Sequence, residues 1–136
     1  MILIPVSAGE LFDKISILRL KLKNISDGSK LKNIQTELNH LLSIVSDNNL
    51  TNILEREEYH NLYKINEELW ATEDIIRECE ESNKFEDSFV KHARLDAYLN
   101  DKRFLAKRKI NDLCDSAITE EKSYKDEIIG RNFNEN

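Results

Sequence analysis

Apolar residues recur at intervals of three and four along most of the chain, which is the period of amphipathic α-helices. The first two stripes are Leu11, Ile15, Leu18, Leu22 and Ile25, then Leu31, Ile34, Leu38, Leu41 and Val45. The third stripe contains Leu62, Ile65, Leu69 and Ile76. The fourth contains Val90, Leu95, Leu99, Ala106 and Ile110. The pattern predicts an all-α fold, an antiparallel bundle of four main helices with these stripes as its core.

Short polar segments mark where the predicted helices begin and end. Ser7 and Glu10 have the spacing of a capping box, which places the start of the first helix at Ser7. Gly28 is expected to end that helix in the left-handed conformation. Clusters at 46–49 and 82–84 contain Ser and Asn side chains that compete for backbone hydrogen bonds. These clusters therefore separate the second, third and fourth helices.

The third helix is predicted over 51–81 and the fourth over 87–113. An uninterrupted helix of about 30 residues would be roughly 45 Å long. A compact monomer of this chain length is only roughly 35–40 Å across. The third helix is therefore expected either to kink or to project toward a second copy, which favours a homodimer.

The two ends of the chain are predicted to differ from the bundle. Residues 1–6 are apolar and contain Pro5, so we expect an extended N-terminal arm that packs on the bundle. A short C-terminal helix is predicted over 119–129, and 130–136 are expected to be disordered. Residues 1–129 thus form one predicted domain.

Composition narrows the class of protein without indicating an activity. The chain has 136 residues, of which 34 % are charged, with a formal net charge of −6. This charge gives no general attraction to nucleic acid or to anionic membranes. The longest apolar run, 1–6, is too short for a membrane span or a signal peptide. Two cysteines without a Cys-x-x-Cys pair favour a reducing, cytoplasmic location.

Each of the two long helices carries a polar stripe beside its apolar one. On the third helix the stripe consists of Asn66, Trp70, Glu73, Arg77 and Glu80. On the fourth helix it consists of Asp96, Asn100, Arg103, Lys107 and Asn111. Steps of three and four place each set on one helix face. The two faces can be solvated surfaces, or they can meet as a polar cleft between the two long helices.

The tryptophan and the asparagines of these stripes favour the cleft. Trp70 is the only Trp of the chain, and asparagine is a middling helix former that a purely solvated face would seldom use. Such a cleft can bind an anionic, phosphorylated small molecule, a nucleotide or a nucleotide-sugar, without a cofactor. The predicted ligand-binding residues are Asn66, Trp70, Glu73, Arg77, Asn100, Arg103, Lys107, Asn111, Lys122 and Tyr124.

The predicted roles of these residues follow from their chemistry. Arg77, Arg103 and Lys107 would hold the phosphates, and Trp70 would stack on a ring. The asparagines would bind the polar edges of the ligand. Lys122 and its neighbour Tyr124 lie beyond the fourth helix, where they can either fold back over the cleft or cap a short helix.

Two other functions fit the same region of the chain. The carboxylates of the third helix resemble those of all-α nucleoside triphosphate pyrophosphohydrolases, although the Glu-x-x-Asp of that family is absent from this stretch. One alternative is therefore a Mg²⁺-dependent phosphoanhydride hydrolase at the same cleft, with Glu67, Asp74 and Asp101 as metal ligands and these residues or Glu73 as the base that activates water. Alternatively, the polar stripes form an interhelical network in an oligomeric scaffold or interaction module. The residues leave open the choice among the three functions, the ligand and whether turnover occurs.

Four stretches together resemble a small bacterial and phage family of unknown function. They are residues 2–18 (ILIPVSxGELxDKIxIL), 66–80 (NExLWxxEDxIRxCE), 100–111 (NDxRxxxKxxIN) and 120–124 (EEKSY). The resemblance implies an all-helical, cytoplasmic protein and implies no activity. Its motif positions include most of the two polar stripes chosen from helical geometry, which favours a functional cleft over a solvated face.

Overall fold

Four α-helices dominate the part of the chain that the structure describes, residues 1–116 and 120–123 of a computed structural model. Helix α1 is Ala8–Asn24, α2 is Gly28–Asp47, α3 is Glu57–Glu81 and α4 is Asp87–Leu113. A short 3₁₀-helix, Thr51–Glu55, precedes α3. No strand occurs among the described residues. The predicted all-α bundle of four helices is confirmed.

Helix α1 lies at the centre of the bundle and packs against each of the other three helices. Helices α3 and α4 form the most extensive pair, and α2 packs chiefly on α1. The core has the apolar stripes of the sequence at its centre, with Phe12, Ile15, Leu62, Leu99 and Ile110 among its most buried residues. Because α2 covers only one side of α1, the opposite side of α1 is left to meet the seam between α3 and α4.

The caps of the helices agree with the sequence at Ser7 and differ at Gly28. The Ser7 hydroxyl accepts a hydrogen bond from the Glu10 amide at 3.2 Å, as the capping box predicts. The left-handed cap at Gly28 is wrong, because α1 ends at Ile25 in an extended conformation and Gly28 is the first residue of α2. The Asp27 carboxylate caps α2 by accepting hydrogen bonds from the Ser29 and Lys30 amides. Helix α2 therefore begins at Gly28, the residue that was predicted to end α1.

Asparagine and aspartate occupy the left-handed positions instead of glycine. Asn49, Asn83 and Asp115 have φ angles of 57°, 54° and 48°, and each lies just beyond the end of a helix. Their short polar side chains tolerate this conformation better than other non-glycine residues do. This explains how the bundle turns between helices with only three glycines in the chain.

The single helix predicted over 51–81 is interrupted in the structure. Arg56 is extended, with ψ at 154°, and separates the 3₁₀-helix from α3. The break shortens α3 to 25 residues, or roughly 37 Å. The bend that the length argument predicted is therefore present, so α3 does not have to project from the bundle. The predicted bounds of the fourth helix agree with α4.

The N-terminal arm and Val90 were predicted to pack on the bundle, and both are exposed. The arm does not pack on the bundle, since Met1, Ile2, Leu3 and Ile4 are 72–96 % exposed. Val90, a predicted core residue, is 52 % exposed. Helix α1 meets the C-terminal half of α4 through contacts such as Asp13–Arg103, so the first turn of α4 receives no cover from it.

The C-terminal part of the chain is described only in part. Residues 120–123, which fall within the short helix predicted over 119–129, are not helical. The remainder of that helix and the predicted disordered tail, 130–136, lie outside the described residues. Among the described helices, none combines the length and the apolar character needed to cross a membrane.

Candidate functional site

A buried ion pair joins the three central helices. The Asp13 carboxylate of α1 is 1 % exposed and accepts from Arg103 Nε at 2.9 Å and from Arg103 Nη2 at 2.5 Å. Asn66 Nδ2 of α3 donates to the same carboxylate at 2.9 Å and to the Ser16 hydroxyl at 2.7 Å. The two-pronged geometry is the strongest form of an arginine–carboxylate contact. We call Asp13, Ser16, Asn66 and Arg103 the central network.

The central network is a packing device. Hydrogen bonding to Asp13 raises the pKa of the Arg103 guanidinium, so this side chain stays charged. A buried charge that is paired and hydrogen-bonded is tolerated, whereas the same charge without its partner is strongly destabilising. The central network therefore fixes how α1 packs against the seam between α3 and α4.

The first turn of α1 crosses α4 at very short range. The Gly9 amide donates to Asn111 Oδ1 at 2.6 Å, and the Ala8 amide donates to the Ser116 hydroxyl at 3.2 Å. A Cβ atom at Gly9 would collide with the backbone carbonyl of Lys107 and lie 2.9 Å from Asn111 Oδ1. Glycine is thus required here by the close approach of two backbones.

A cleft of about 620 Å³ opens beside this crossing. It lies between α4, the first turn of α1 and the segment that follows α4. Its lining consists of Glu10, Asp96, Ala97, Asn100, Asp101, Arg103, Phe104, Lys107, Glu120 and Lys122. The volume is in the range of small-molecule sites. The charged lining groups comprise four carboxylates and three cations, so the cleft can bind a molecule that carries both an anionic group and hydrogen-bond donors.

Lys107 is the most deeply buried cation of the cleft. Its residue is 7 % exposed, and its ammonium lies 3.3 Å from Glu10 Oε2 and 2.5 Å from Glu120 Oε2. Glu10 belongs to α1, whereas Glu120 comes from the segment beyond α4. Both glutamate side chains are themselves more than 40 % exposed. The ammonium is therefore held inside the cleft by carboxylates at its edge.

A second ion pair holds the segment beyond α4 on the cleft. Lys122 Nζ lies 2.8 Å from Oδ1 of the buried Asp101 and 5.4 Å from the centre of the Phe104 ring. Lys122 lies against α4 and lines this cleft, which is not the cleft predicted between the two long helices. Tyr124 lies outside the described residues.

Asp96 provides hydrogen-bond acceptors in another part of the cleft lining. Its Oδ2 accepts from Asn100 Nδ2 at 3.3 Å, and its Oδ1 is buried without a hydrogen-bond partner among the described residues. A buried acceptor without a donor costs about 1–3 kcal/mol. Nearby, loss of solvation raises the pKa of the Glu73 carboxyl, and the negative charge of Asp96 raises it further. Donors are therefore favoured in this region.

The raised pKa of Glu73, caused first by loss of solvation and then by the charge of Asp96, predicts a stability that depends on pH. The pKa of Glu73 is raised in the folded state, so its ionisation destabilises the fold above the unfolded pKa of about 4.3 and not below it. Glu73→Gln should therefore raise the stability at pH 7, by about 0.5 kcal/mol or less since the side chain is largely exposed. The gain should vanish below about pH 4. Thermal unfolding followed by circular dichroism across this range measures it.

The control for that prediction uses the second carboxylate. In an Asp96→Asn background the Glu73→Gln gain should be smaller, because one cause of the raised pKa is gone. An equal gain in both backgrounds, or a gain that persists at pH 4, would contradict the repulsion.

The predicted cleft between the two long helices is corrected by the position of α1. None of the α3 residues in the predicted set lines the cleft. Asn66 is in the central network, Trp70 is half-buried, and Glu73 and Arg77 are exposed. Because α1 packs on the seam between α3 and α4, the opening in the structure lies between α4, the first turn of α1 and the segment that follows α4. Asn100, Arg103, Lys107 and Lys122 line it, while Asn111 binds the first turn of α1.

Several residues of the site do not belong to either of the two polar stripes. Glu10, Phe104 and Glu120 line the cleft, and Asp13 anchors Arg103 behind it. One signal was available in α1, where Gly9, Asp13 and Ser16 share a face at steps of four and three between apolar residues. Small and polar residues on an otherwise buried face indicate close polar contact with another helix.

The three carboxylates predicted as metal ligands are in separate surroundings. Glu67 Oε2 lies 2.9 Å from Lys23 Nζ on the surface, Asp101 is paired with Lys122, and Asp74 is exposed. Within residues 1–116 and 120–123, no group of three or more His, Cys, Asp or Glu side chains is placed to hold a metal ion. The arrangement needed for the Mg²⁺-dependent hydrolase is thus not assembled from these residues.

The sequence of residues 2–134 matches a family of unknown function, DUF6165. The chain belongs to this family. No curated protein and no solved structure is significantly similar to it. The DUF6165 match covers almost the whole chain and agrees with the resemblance to an uncharacterised family. Since the family description states no function, an activity for this DUF6165 protein has to be argued from its own cleft.

Proposed function

We propose that this DUF6165 protein binds an anionic, phosphorylated small molecule in the cleft, a sugar phosphate or a nucleotide-sugar. The observation that carries the proposal is the Lys107 ammonium, held inside a cavity of about 620 Å³ by carboxylates from outside α4. A phosphate is the ligand group that best replaces such a carboxylate, because it offers more acceptor oxygens and more charge.

Glu120 supports this choice of ligand group. Its carboxylate reaches Lys107 from the segment beyond the helical bundle and occupies the position of an anion in the cleft. A ligand phosphate that took this position would release a half-exposed glutamate to water and would leave Glu10 in place. The positive charge of Arg103, which also lines the cleft, would add to the attraction while Asp13 holds the guanidinium still.

The rest of the cleft favours a hydroxylated ligand over a bare nucleotide. Asp96, Asn100 and Asp101 line it with acceptor oxygens, and sugar hydroxyls are donors of the matching kind. Stacking on Trp70 and a phosphate contact from Arg77 form no part of the proposal, because neither residue lines the cleft. The aromatic residue in the lining is Phe104, which is buried and packs against Lys122.

The first test is a thermal-shift screen of the purified chain against sugar phosphates, nucleotide-sugars and nucleotides, each with and without Mg²⁺. A ligand at 100 times its dissociation constant should add about 2.7 kcal/mol to the free energy of unfolding. That gain corresponds to a shift of several degrees for a domain of this size. A shift seen only with Mg²⁺ and accompanied by hydrolysis would favour the hydrolase and contradict simple binding.

Variants of the cleft make the proposal specific. Lys107→Met keeps the length of the side chain and should weaken binding of a hit at least about tenfold, which is 1.4 kcal/mol. Lys109→Met, an exposed lysine on the same helix that does not line the cleft, is the matched control and should bind as the wild type does. Glu120→Gln should strengthen binding several-fold, since the competing carboxylate is gone. Unchanged affinity in both Lys107→Met and Glu120→Gln would overturn the proposal.

A further inference from the structure

The arm, residues 1–6, contains five of the nine large apolar residues that are exposed among the described residues. Met1, Ile2, Leu3 and Ile4 are 72–96 % exposed, and Val6 is exposed as well. Single exposed apolar residues are ordinary, but a continuous run of this kind marks an interaction surface. Because neighbouring residues of an extended chain point to opposite sides, both sides of the arm are apolar and both need cover.

The backbone of the arm is also without partners among the described residues. The first backbone–backbone hydrogen bond there joins the Leu11 amide to the Ser7 carbonyl, beyond the arm. An extended segment with unpaired amides and carbonyls is a template for pairing with another extended chain. The arm therefore presents backbone groups that can pair with a second chain, as well as an apolar surface.

An apolar groove of about 650 Å³ runs between the arm and the helices α1 and α2. Leu11, Leu41 and Ile44 contribute its apolar helical wall, and the arm itself forms the other wall. Lys14 and Glu37 lie at its rim with opposite charges, 3.8 Å apart. The groove exists because α2 packs chiefly on α1, so the outer side of this pair is covered by no other helix.

We infer that the arm and this groove form the interface of a homodimer, in which the arms of two copies pair with each other and each lies along the groove of its partner. An extended, apolar segment would fill the groove and pair with the backbone of the arm, and a second copy supplies one such segment per groove. A symmetric pair uses the same surface twice, as most dimers do. Two-fold symmetry also lets Lys14 of one copy meet Glu37 of the other.

The size and the charge of the surface fit this partner. The arm exposes on the order of 700 Å², close to the roughly 800 Å² that each partner buries in a standard interface. Each chain carries a net charge of −6, which would oppose association, but no charged side chain precedes Glu10. The side chains of two arms can therefore meet without like charges in contact, and the Met1 ammonium is the one charged group of each arm.

The experiment compares the mass in solution of the full chain and of an Ile2→Asp/Ile4→Asp variant, by sedimentation or light scattering over a wide range of concentration. The wild type should have about twice its chain mass of 15.9 kDa. The variant should be monomeric, with a dissociation constant at least about a hundredfold weaker. Its helical circular dichroism should be unchanged, because the arm contributes little to the folded core of a single copy.

Val90→Asp is the matched control, since it also places a charge on an exposed apolar residue but lies at the start of α4, away from the groove. It should remain dimeric. In a Cys79→Ser/Cys114→Ser background, Ile4→Cys should form an interchain disulfide under mild oxidation. A wild type that is monomeric at all concentrations, or an Ile2→Asp/Ile4→Asp variant that stays dimeric, would overturn the inference. So would a monomer that sediments with phosphatidylcholine–phosphatidylglycerol vesicles through the arm, which would assign this surface to a membrane.

Discussion

Asp13→Ala should lower the free energy of unfolding by about 3–5 kcal/mol, because it leaves the Arg103 guanidinium without its partner inside the bundle. Asn66 loses one of its two acceptors at the same time. For a chain of this size the loss corresponds to a decrease in Tm of about 10–15 °C. Urea unfolding and thermal unfolding, both followed by circular dichroism at 222 nm, measure the two quantities.

Two further variants separate the charge effect from simple truncation. Glu67→Ala removes the exposed Lys23–Glu67 pair and should have only a small fraction of the effect of Asp13→Ala. Combining Asp13→Leu with Arg103→Met removes both charges and should recover much of the stability lost by Asp13→Leu alone. If the double variant is no more stable than the single one, the unpaired guanidinium is not the cause of the loss.

Gly9→Ala is the second substitution for which a large effect is expected. The added methyl group would collide with the Lys107 carbonyl and crowd Asn111 Oδ1, so the first turn of α1 has to move away from α4. Overpacking of this kind costs about 1–3 kcal/mol, and the loss of the Gly9–Asn111 hydrogen bond adds to it. We expect a decrease in the free energy of unfolding of about 2–4 kcal/mol, measured by urea denaturation.

Gly28→Ala, a substitution of the same type, should increase stability where Gly9→Ala decreases it. Gly28 begins α2 with open space around the position of a Cβ atom and with an ordinary negative φ. Alanine favours the helix and restricts the unfolded chain, so stability should increase by about 0.5 kcal/mol. Equal effects of Gly9→Ala and Gly28→Ala would show that the α1–α4 approach is looser than the structure indicates.

The stability of the bundle and the shape of the cleft both depend on the contacts between α1 and α4. Arg103 and Lys107 lie one turn apart on α4, where the first is anchored by Asp13 and the second is held by Glu10. Both acidic partners belong to the first turns of α1. A change that displaces α1 should therefore disturb the cleft as well as the fold, whereas Lys107→Met, which removes only pairs to partly exposed glutamates, should affect ligand binding far more than stability. This difference separates loss of binding from loss of structure.

Much of the helical architecture could be predicted from local patterns. The bounds of α4 and the start of α1 follow from apolar periodicity and from the Ser7 capping box, which depend on residues a few positions apart. The errors have equally local causes. The sequence pattern of Asp27 and Gly28 is compatible with a stop after α1 and with a start of α2, and the Asp27 carboxylate favours the second. The arm was predicted to pack on the bundle because all six of its residues are apolar, so its sequence indicates no side that faces water.

The sequence identified several residues of the candidate site, but not which residues they contact. Helical spacing identified Asn100, Arg103 and Lys107 as one polar face of α4, since a helix face is a property of spacing alone. Which residues this face meets depends on how α1 packs against the seam between α3 and α4. Asp13 and Arg103 are 90 positions apart in the chain, so no local pattern could indicate that they form a pair. Periodicity assigns residues to helix faces because a helix repeats every few residues, whereas the packing of helices assigns partners to those faces.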